Sequence, residues 1–94
     1  MRGAVGRWFV TPHAVRRYRE RVPGARKLSY EQALGRIIKD SWRAHFVRIE
    51  RNGMELWRVG KPWRTRYRVA PAEGAGLPVL MTVLRGCEHG RGAC

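Results

Sequence analysis

The chemical groups that stand out in the chain are one histidine and several arginines within residues 11–22, TPHAVRRYRERV. His13, Arg17 and Arg21 recur every four residues, so on an α-helix they form one stripe. Guanidinium groups bind phosphate through paired hydrogen bonds. A neutral imidazole such as that of His13 can act as a general base. With RNA as substrate, the 2′-hydroxyl would be the nucleophile and the arginines would stabilise charge on the phosphate.

A second group of arginines lies in residues 57–69, WRVGKPWRTRYRV. Odd positions are mostly apolar and even positions are mostly basic, which on a β-strand places the two sets on opposite faces. Arg64, Arg66 and Arg68 should therefore share one face, while Thr65, Tyr67 and Val69 enter the core. Basic strands with neighbouring tryptophans are typical of nucleic-acid-binding surfaces. The candidate nucleic-acid-binding residues are Arg16, Arg58, Trp63, Arg64 and Arg68.

Several other kinds of site are not indicated. Asp40 is the only aspartate, and no pair of carboxylates has the spacing of a two-metal nuclease. There is no phosphate-binding glycine loop and no Ser-His-Asp signature. Cys87, His89 and Cys94 offer three soft ligands in a glycine-rich tail, whereas a structural zinc site normally has four. We therefore expect neither a metal nor a cofactor.

The overall charge points to a polyanionic partner. The 94 residues include 20 Lys+Arg and 7 Asp+Glu, which leaves a formal net charge of +13. Such basic domains usually bind nucleic acid, RNA above all here and DNA as an alternative, although a source with arginine-rich proteins would also raise the count. No apolar run is long enough to span a membrane, the N-terminus lacks a secretion signal, and two cysteines form no disulfide framework. We expect a cytoplasmic protein that does not bind membranes.

The helices that would position these residues have clear boundaries. Thr11 and Pro12 are typical of a helix start, and Pro23-Gly24 stops the helix, which predicts helix one from Pro12 to Val22. Ser29 and Gln32 form a capping-box pattern that begins helix two, which should end near Trp42 or Arg43. Its apolar face is formed by Ala33, Leu34, Ile37, Ile38 and Ser41.

The rest of the chain has the pattern of strands. Asn52-Gly53 favours a hairpin with a type I′ turn, but that register would oppose Glu50 and Glu55, so a bulge or longer loop is the alternative. Residues 79–84 form a buried apolar strand, and residues 5–10 a weak one. We predict an α+β fold with two N-terminal helices packed on a curved antiparallel sheet of three to four strands, as a single domain over 1–86 with a flexible tail at 87–94.

Four motifs together resemble a known group of proteins. They are FVTPHAVRRYRERV at residues 9–22, Gln32-Ala33-Leu34, RYRV at 66–69 and MTVL at 81–84. Residues 8–86 are similar to small bacterial and phage proteins of the BrnT and RelE toxin-like ribonuclease group, whose fold also covers barnase-like and colicin-like ribonucleases. The chain lacks the lysine-rich helix typical of RelE itself, so ribosome-dependent cleavage is not implied.

The resemblance implies metal-independent RNA cleavage on the concave face of the sheet, which leaves a 2′,3′-cyclic phosphate. It also implies an antitoxin as a partner. Matched position by position, the catalytic residues it implies are His13, Arg17, Arg21, Arg66 and Tyr67.

Three functions remain open from the sequence. The protein could be an endoribonuclease in which His13 acts as acid or base. It could be a non-catalytic RNA- or DNA-binding module on the same scaffold, whose affinity falls steeply with salt. It could also be a phage-encoded regulator whose basic face binds an acidic host protein. The sequence does not predict the oligomeric state.

Overall fold

The computed structural model describes residues 4–60, 65–74 and 76–85. Within these ranges it contains two α-helices, a short 3₁₀ helix and one sheet. The helices are α1 (Pro12–Arg21) and α2 (Tyr30–Arg43), with the 3₁₀ turn at Ala25–Lys27 between them. The strands are β1 (Ala4–Val5), β2 (Phe9–Val10), β3 (His45–Ile49), β4 (Glu55–Val59), β5 (Thr65–Ala70) and β6 (Val79–Arg85).

Both predicted helix starts are confirmed. The Thr11 side chain accepts a hydrogen bond from the backbone N–H of Ala14, and its hydroxyl donates to the Leu80 carbonyl. In α2, Ser29 accepts from the backbone of Gln32, whose side chain accepts from the backbone N–H of Ser29. Each cap satisfies N–H groups that a helix start leaves without partners. α1 ends at Arg21, one residue earlier than predicted.

The sheet has the strand order β1-β2-β6-β5-β4-β3. Strands β3 to β6 are antiparallel to their neighbours, whereas β2 lies parallel to β6. The α+β class with helices on one side is therefore confirmed. The expectation of a purely antiparallel sheet of three to four strands fits only β3–β6. The weak strand at 5–10 is in fact two short strands, because the chain reverses direction between Gly6 and Trp8.

The β3–β4 connection takes the alternative of a longer loop, and the type I′ expectation is wrong. Among residues 51–53, only Gly53 has a positive φ, of 87°, whereas a type I′ turn needs two such residues. The backbone N–H of Gly53 donates to the Glu50 carbonyl, and Glu50 N–H donates to Met54. This loop pairs Ile49 with Glu55, so the two glutamates do not face each other.

The core lies between the helices and one face of the sheet. The predicted alternation of β5 is confirmed, since Thr65, Tyr67 and Val69 are buried against the helices. The expectation that β6 is buried throughout is wrong: Leu80 and Val83 are buried, but Met81 is 43% exposed. The reason is a register shift opposite Arg68 and Val69, which lets Leu80 and Val83 both face the core although they are three positions apart, and Met81 lies at this irregularity. The other core residues are Trp8, Val10, Ala14, Val15, Tyr18, Ala25, Ala33, Ile37, Ala44 and Val59.

Some sequence predictions fall on residues outside the described ranges. These are Trp63, Arg64 and the tail with Cys87, His89 and Cys94. In the part of the chain that the structure describes, no helix has the length and apolar character needed to cross a membrane.

Candidate nucleic-acid interface

Four arginines lie on the sheet face that points away from the helices, and we call this set the arginine face: Arg48, Arg58, Arg66 and Arg68. Arg58 of β4 pairs directly with Arg66 of β5. Leu56 of β4 pairs with Arg68 on one side and with Arg48 of β3 on the other. Because Tyr67 and Val69 face the core, alternation places Arg66 and Arg68 on the opposite side.

The spacing of the arginine face is set by the sheet itself. Neighbouring strands are about 4.8 Å apart, and alternate residues along one strand are about 6.6 Å apart. Leu56 lies on this face, yet only 1% of its surface is exposed. Its cross-strand neighbours are arginines, whose alkyl stems can cover a leucine while the guanidinium groups stay in water. The face is thus apolar at its base and cationic at its surface.

One carboxylate holds part of this face in place. Glu50 Oε1 lies 2.7 Å from Arg68 Nε, and its Oε2 lies 3.6 Å from Arg48 Nη2. Arg58 and Arg66 have interactions of their own, yet they are directly opposed like charges, an arrangement that costs energy in a sheet. Four guanidinium groups against one carboxylate leave a net positive surface that suits a polyanion.

His45 belongs to the same face, although the sequence analysis did not single it out. It pairs with Arg58, which in turn pairs with Arg66, so one imidazole and two guanidinium groups lie in a row across three strands. The His45 side chain is exposed. The hairpin register alone does not find it, because counting back from a three-residue loop at 51–53 places residue 45 beside residue 59; the register shift between Phe46 and Arg48 brings it beside Arg58.

The helix-one candidates lie elsewhere. His13 and Arg16 are exposed on α1, while Arg17 is partly buried and its Nη1 lies 2.9 Å from Glu20 Oε1. Arg21 donates from Nη1 to the carbonyl oxygen of Val83 at 3.2 Å. β2 pairs only with Val79 and Leu80, so Arg21 satisfies a β6 carbonyl beyond the reach of that strand. Arg17 and Arg21 therefore have structural partners, and His13 lies in solvent.

Tyr67 is enclosed by the core rather than presented at a surface. None of its side chain is exposed, and its hydroxyl donates to Asp40 Oδ2 at 2.6 Å. Burial raises the pKa of Tyr67 well above its ordinary value, and the negative charge of Asp40 raises it further. The hydroxyl stays protonated at neutral pH and is already bound. In this conformation it does not reach a ligand on the arginine face.

The structure thus separates the predicted catalytic set into two layers. α1 packs by Ala14, Val15 and Tyr18 onto the covered side of the sheet, and its polar stripe points outward from there. Arg66 lies on the uncovered side, together with Arg58 and Arg68 of the predicted binding set. The structure brings together Arg66 from the predicted catalytic set and Arg58 and Arg68 from the predicted binding set. Arg48 and His45 lie on the same face and were not predicted.

Among the described residues, no group of three or more His, Cys, Asp or Glu side chains could hold a metal ion. Comparison of the chain with known protein families, with curated proteins and with solved structures gives no match.

Proposed function

We propose that the protein binds nucleic acid, RNA in the first place, across the arginine face. The observation that carries this proposal is the gathering of four arginines from three adjacent strands on the sheet face opposite to the one on which the two described α-helices pack. Arginine suits this role because its planar fork can contact two phosphate oxygens at once. A cytoplasmic location, as expected from the sequence, belongs to the same proposal.

The side chains on this face favour contact with the backbone over readout of bases. RNA-binding sheets that recognise sequence carry aromatic rings on which bases stack. Among the described residues, the ring beside the arginines is that of His45, and the other ring on this side of the sheet, Phe9, lies on β2, with β6 between it and β5. Phosphate contacts position a strand without reading it. We therefore expect weak sequence preference and strong dependence on salt.

The test is a binding titration of single-stranded RNA and matched DNA with the Arg58→Gln/Arg66→Gln variant. Two lost charge-assisted hydrogen bonds should weaken RNA binding at least about tenfold. Arg26→Gln/Lys27→Gln removes the same charge from exposed positions off the sheet and should change affinity much less. Equal losses in both variants would contradict a binding site on the arginine face. Tight binding of an acidic protein in place of RNA would favour the regulator function instead.

Metal-independent RNA cleavage is a second candidate function, favoured by the row of His45, Arg58 and Arg66. An imidazole beside two guanidinium groups has the residue types that attack by a 2′-hydroxyl requires. The resemblance to BrnT- and RelE-like toxins, with an antitoxin partner, is a proposal that supports the same activity. The resemblance, however, implies His13 rather than His45 as the catalytic histidine.

Cleavage of end-labelled RNA in EDTA by His45→Ala and His13→Ala separates these assignments. Activity lost with His45→Ala and kept with His13→Ala would place the chemistry on the arginine face. Activity lost with His13→Ala and kept with His45→Ala would place the chemistry on α1. If wild type and both variants bind RNA but leave it intact, the protein is a non-catalytic binding module.

A further inference from the structure

A second cationic site lies in a cleft between the two helices and the sheet. The cleft has a volume of about 700 Å³, within the range of small-molecule sites. Its walls come from the C-terminal halves of α1 and α2 and from the ends of β4 and β5. The charged residues that line it are Arg36, Lys39, Asp40 and Arg43, all from α2.

Asp40, the one carboxylate among the described residues of the cleft, is held by the protein. Asp40 Oδ2 accepts the hydroxyl of Tyr67 at 2.6 Å, and Oδ1 lies 3.4 Å from Arg43 Nη2. The Asp40 side chain is only 14% exposed, so it presents little negative charge to a ligand. Among the described residues that line the cleft, three cations face this one anion, which is an excess of two positive charges in a partly enclosed space.

Tyr18 gives the cleft a polar inner wall. It is 5% exposed, and it lines the cleft together with Arg36. Burial raises the pKa of Tyr18, and Asp40 raises it further, while Arg36 acts in the opposite direction. At neutral pH the wall is therefore a neutral hydroxyl beside a guanidinium group, a combination suited to phosphate oxygens.

We propose that this cleft binds a phosphomonoester group through Arg36, Lys39 and Arg43. The excess of two positive charges matches a phosphate dianion, whereas a phosphodiester in a strand carries one negative charge. A partly enclosed cleft suits a terminal group, whereas the open arginine face suits a strand that passes across it. Val59 and Thr65 line the cleft and are the sequence neighbours of Arg58 and Arg66. If the proposed nucleic-acid binding holds, the end of a bound strand supplies the phosphate.

The first experiment uses uridine 5′-monophosphate, uridine and inorganic phosphate as probes, with binding followed by calorimetry and by NMR. We expect uridine 5′-monophosphate and phosphate to bind and uridine not to bind. Arg36→Gln/Lys39→Gln should weaken the binding of both phosphate-bearing probes at least tenfold. Lys39→Arg, which keeps the charge, should retain binding. Lys27→Gln/Arg51→Gln is the matched control, since both residues are exposed outside the cleft.

Equal probe affinity in wild type and in Arg36→Gln/Lys39→Gln would overturn the proposal, as would equal affinity for uridine and its monophosphate. The source of the phosphate is tested with one RNA sequence carrying a 5′-phosphate, a 3′-phosphate or hydroxyl ends. A preference for one phosphorylated end, lost in Arg36→Gln/Lys39→Gln, supports a strand end as the ligand. Probe binding without such a preference supports a cleft whose ligand is a free phosphorylated molecule rather than a strand end. Neither result depends on Arg58→Gln/Arg66→Gln, whose failure to alter RNA affinity would count against the arginine face alone.

Discussion

The hydrogen bond between Tyr67 of β5 and Asp40 of α2 joins the sheet to this helix. Tyr67 is completely buried, and Asp40 is the only aspartate in the chain. A buried hydroxyl needs a partner, and a shielded carboxylate needs donors, so each group satisfies the other. The alternation of β5 predicts that Tyr67 points inward. It does not predict the partner, because residues 40 and 67 meet only once α2 has packed on the sheet.

The Tyr67→Phe variant should unfold more readily at neutral pH. It keeps the ring in the core but removes one donor from Asp40, which costs about 1–3 kcal/mol in the free energy of unfolding. Urea denaturation measures this change. Tyr30→Phe is the matched control, because Tyr30 is 45% exposed and its loss should have little effect. If the two variants were equally stable, the Tyr67–Asp40 hydrogen bond would contribute nothing net.

Alkaline pH should destabilise the protein through Tyr18 and Tyr67. The pKa of both tyrosines is raised in the folded state by burial and then by the charge of Asp40. Their protonated forms thus favour folding fully below pH of about 10, and this contribution is lost as the pH rises through the folded-state values. For the wild type, the urea concentration at the unfolding midpoint should fall toward the upper end of the range from pH 8 to 11. The fall should be smaller in Tyr67→Phe, and an identical pH profile in that variant would contradict the assignment.

The elements themselves were largely predictable because their signals are local. The Ser29–Gln32 capping box and the Thr11 cap are set by residues three positions apart, and the strand alternation at 65–69 by residues two apart. The parallel pairing of β2 with β6 joins Phe9 to Val79, seventy positions away, and no local pattern encodes it. The arginine face was predicted in part, since alternation gives Arg66 and Arg68 a common side but does not identify the strands beside them.

The turn between β1 and β2 packs against α2 through Gly6. A side chain at Gly6 would overlap the Ser41 Oγ and stand 3.3 Å from the Ile38 carbonyl. Ser41 is completely buried, and its hydroxyl accepts from the backbone N–H of Arg7 at 2.9 Å while donating to Ile38 at 2.6 Å. The close approach of backbone to side chain therefore requires glycine here.

Alanine should have opposite effects at Gly6 and at Gly35. Gly6→Ala must displace Ser41 and should cost about 1–3 kcal/mol of stability. Gly35 is exposed in α2 with no atom within 4 Å of an added Cβ, so Gly35→Ala should stabilise by about 0.5–1 kcal/mol through helix propensity. Thermal or urea unfolding of the two variants gives both values. A stabilised Gly6→Ala protein would show that the β1–β2 turn moves away from α2 at little cost.

At the scale of the whole molecule, the two layers decide which charged groups can act together. The helices cover one side of the sheet, so the polar stripe of α1 and the arginine face point in different directions. Helical periodicity predicts that His13, Arg17 and Arg21 share a stripe, but it cannot say which layer the stripe belongs to. Arg48 joins the arginine face through the register that the loop at 51–53 sets, and His45 joins it through the register shift between Phe46 and Arg48.

The dependence of RNA affinity on salt distinguishes a defined site from diffuse attraction to a chain of net charge +13. For single strands, the logarithm of affinity falls with the logarithm of salt concentration by about 0.7 for each neutralised phosphate. Contacts from the four arginines of the arginine face give a slope of about −3, whereas engagement of the full net charge would give about −9. Titration of one short RNA at several salt concentrations measures the slope.

Arg58→Gln/Arg66→Gln should bring this slope to about −1.4, because two contacts remain. A steep slope that both this variant and Arg26→Gln/Lys27→Gln leave unchanged would mean that RNA is attracted by the whole surface and held by no particular face.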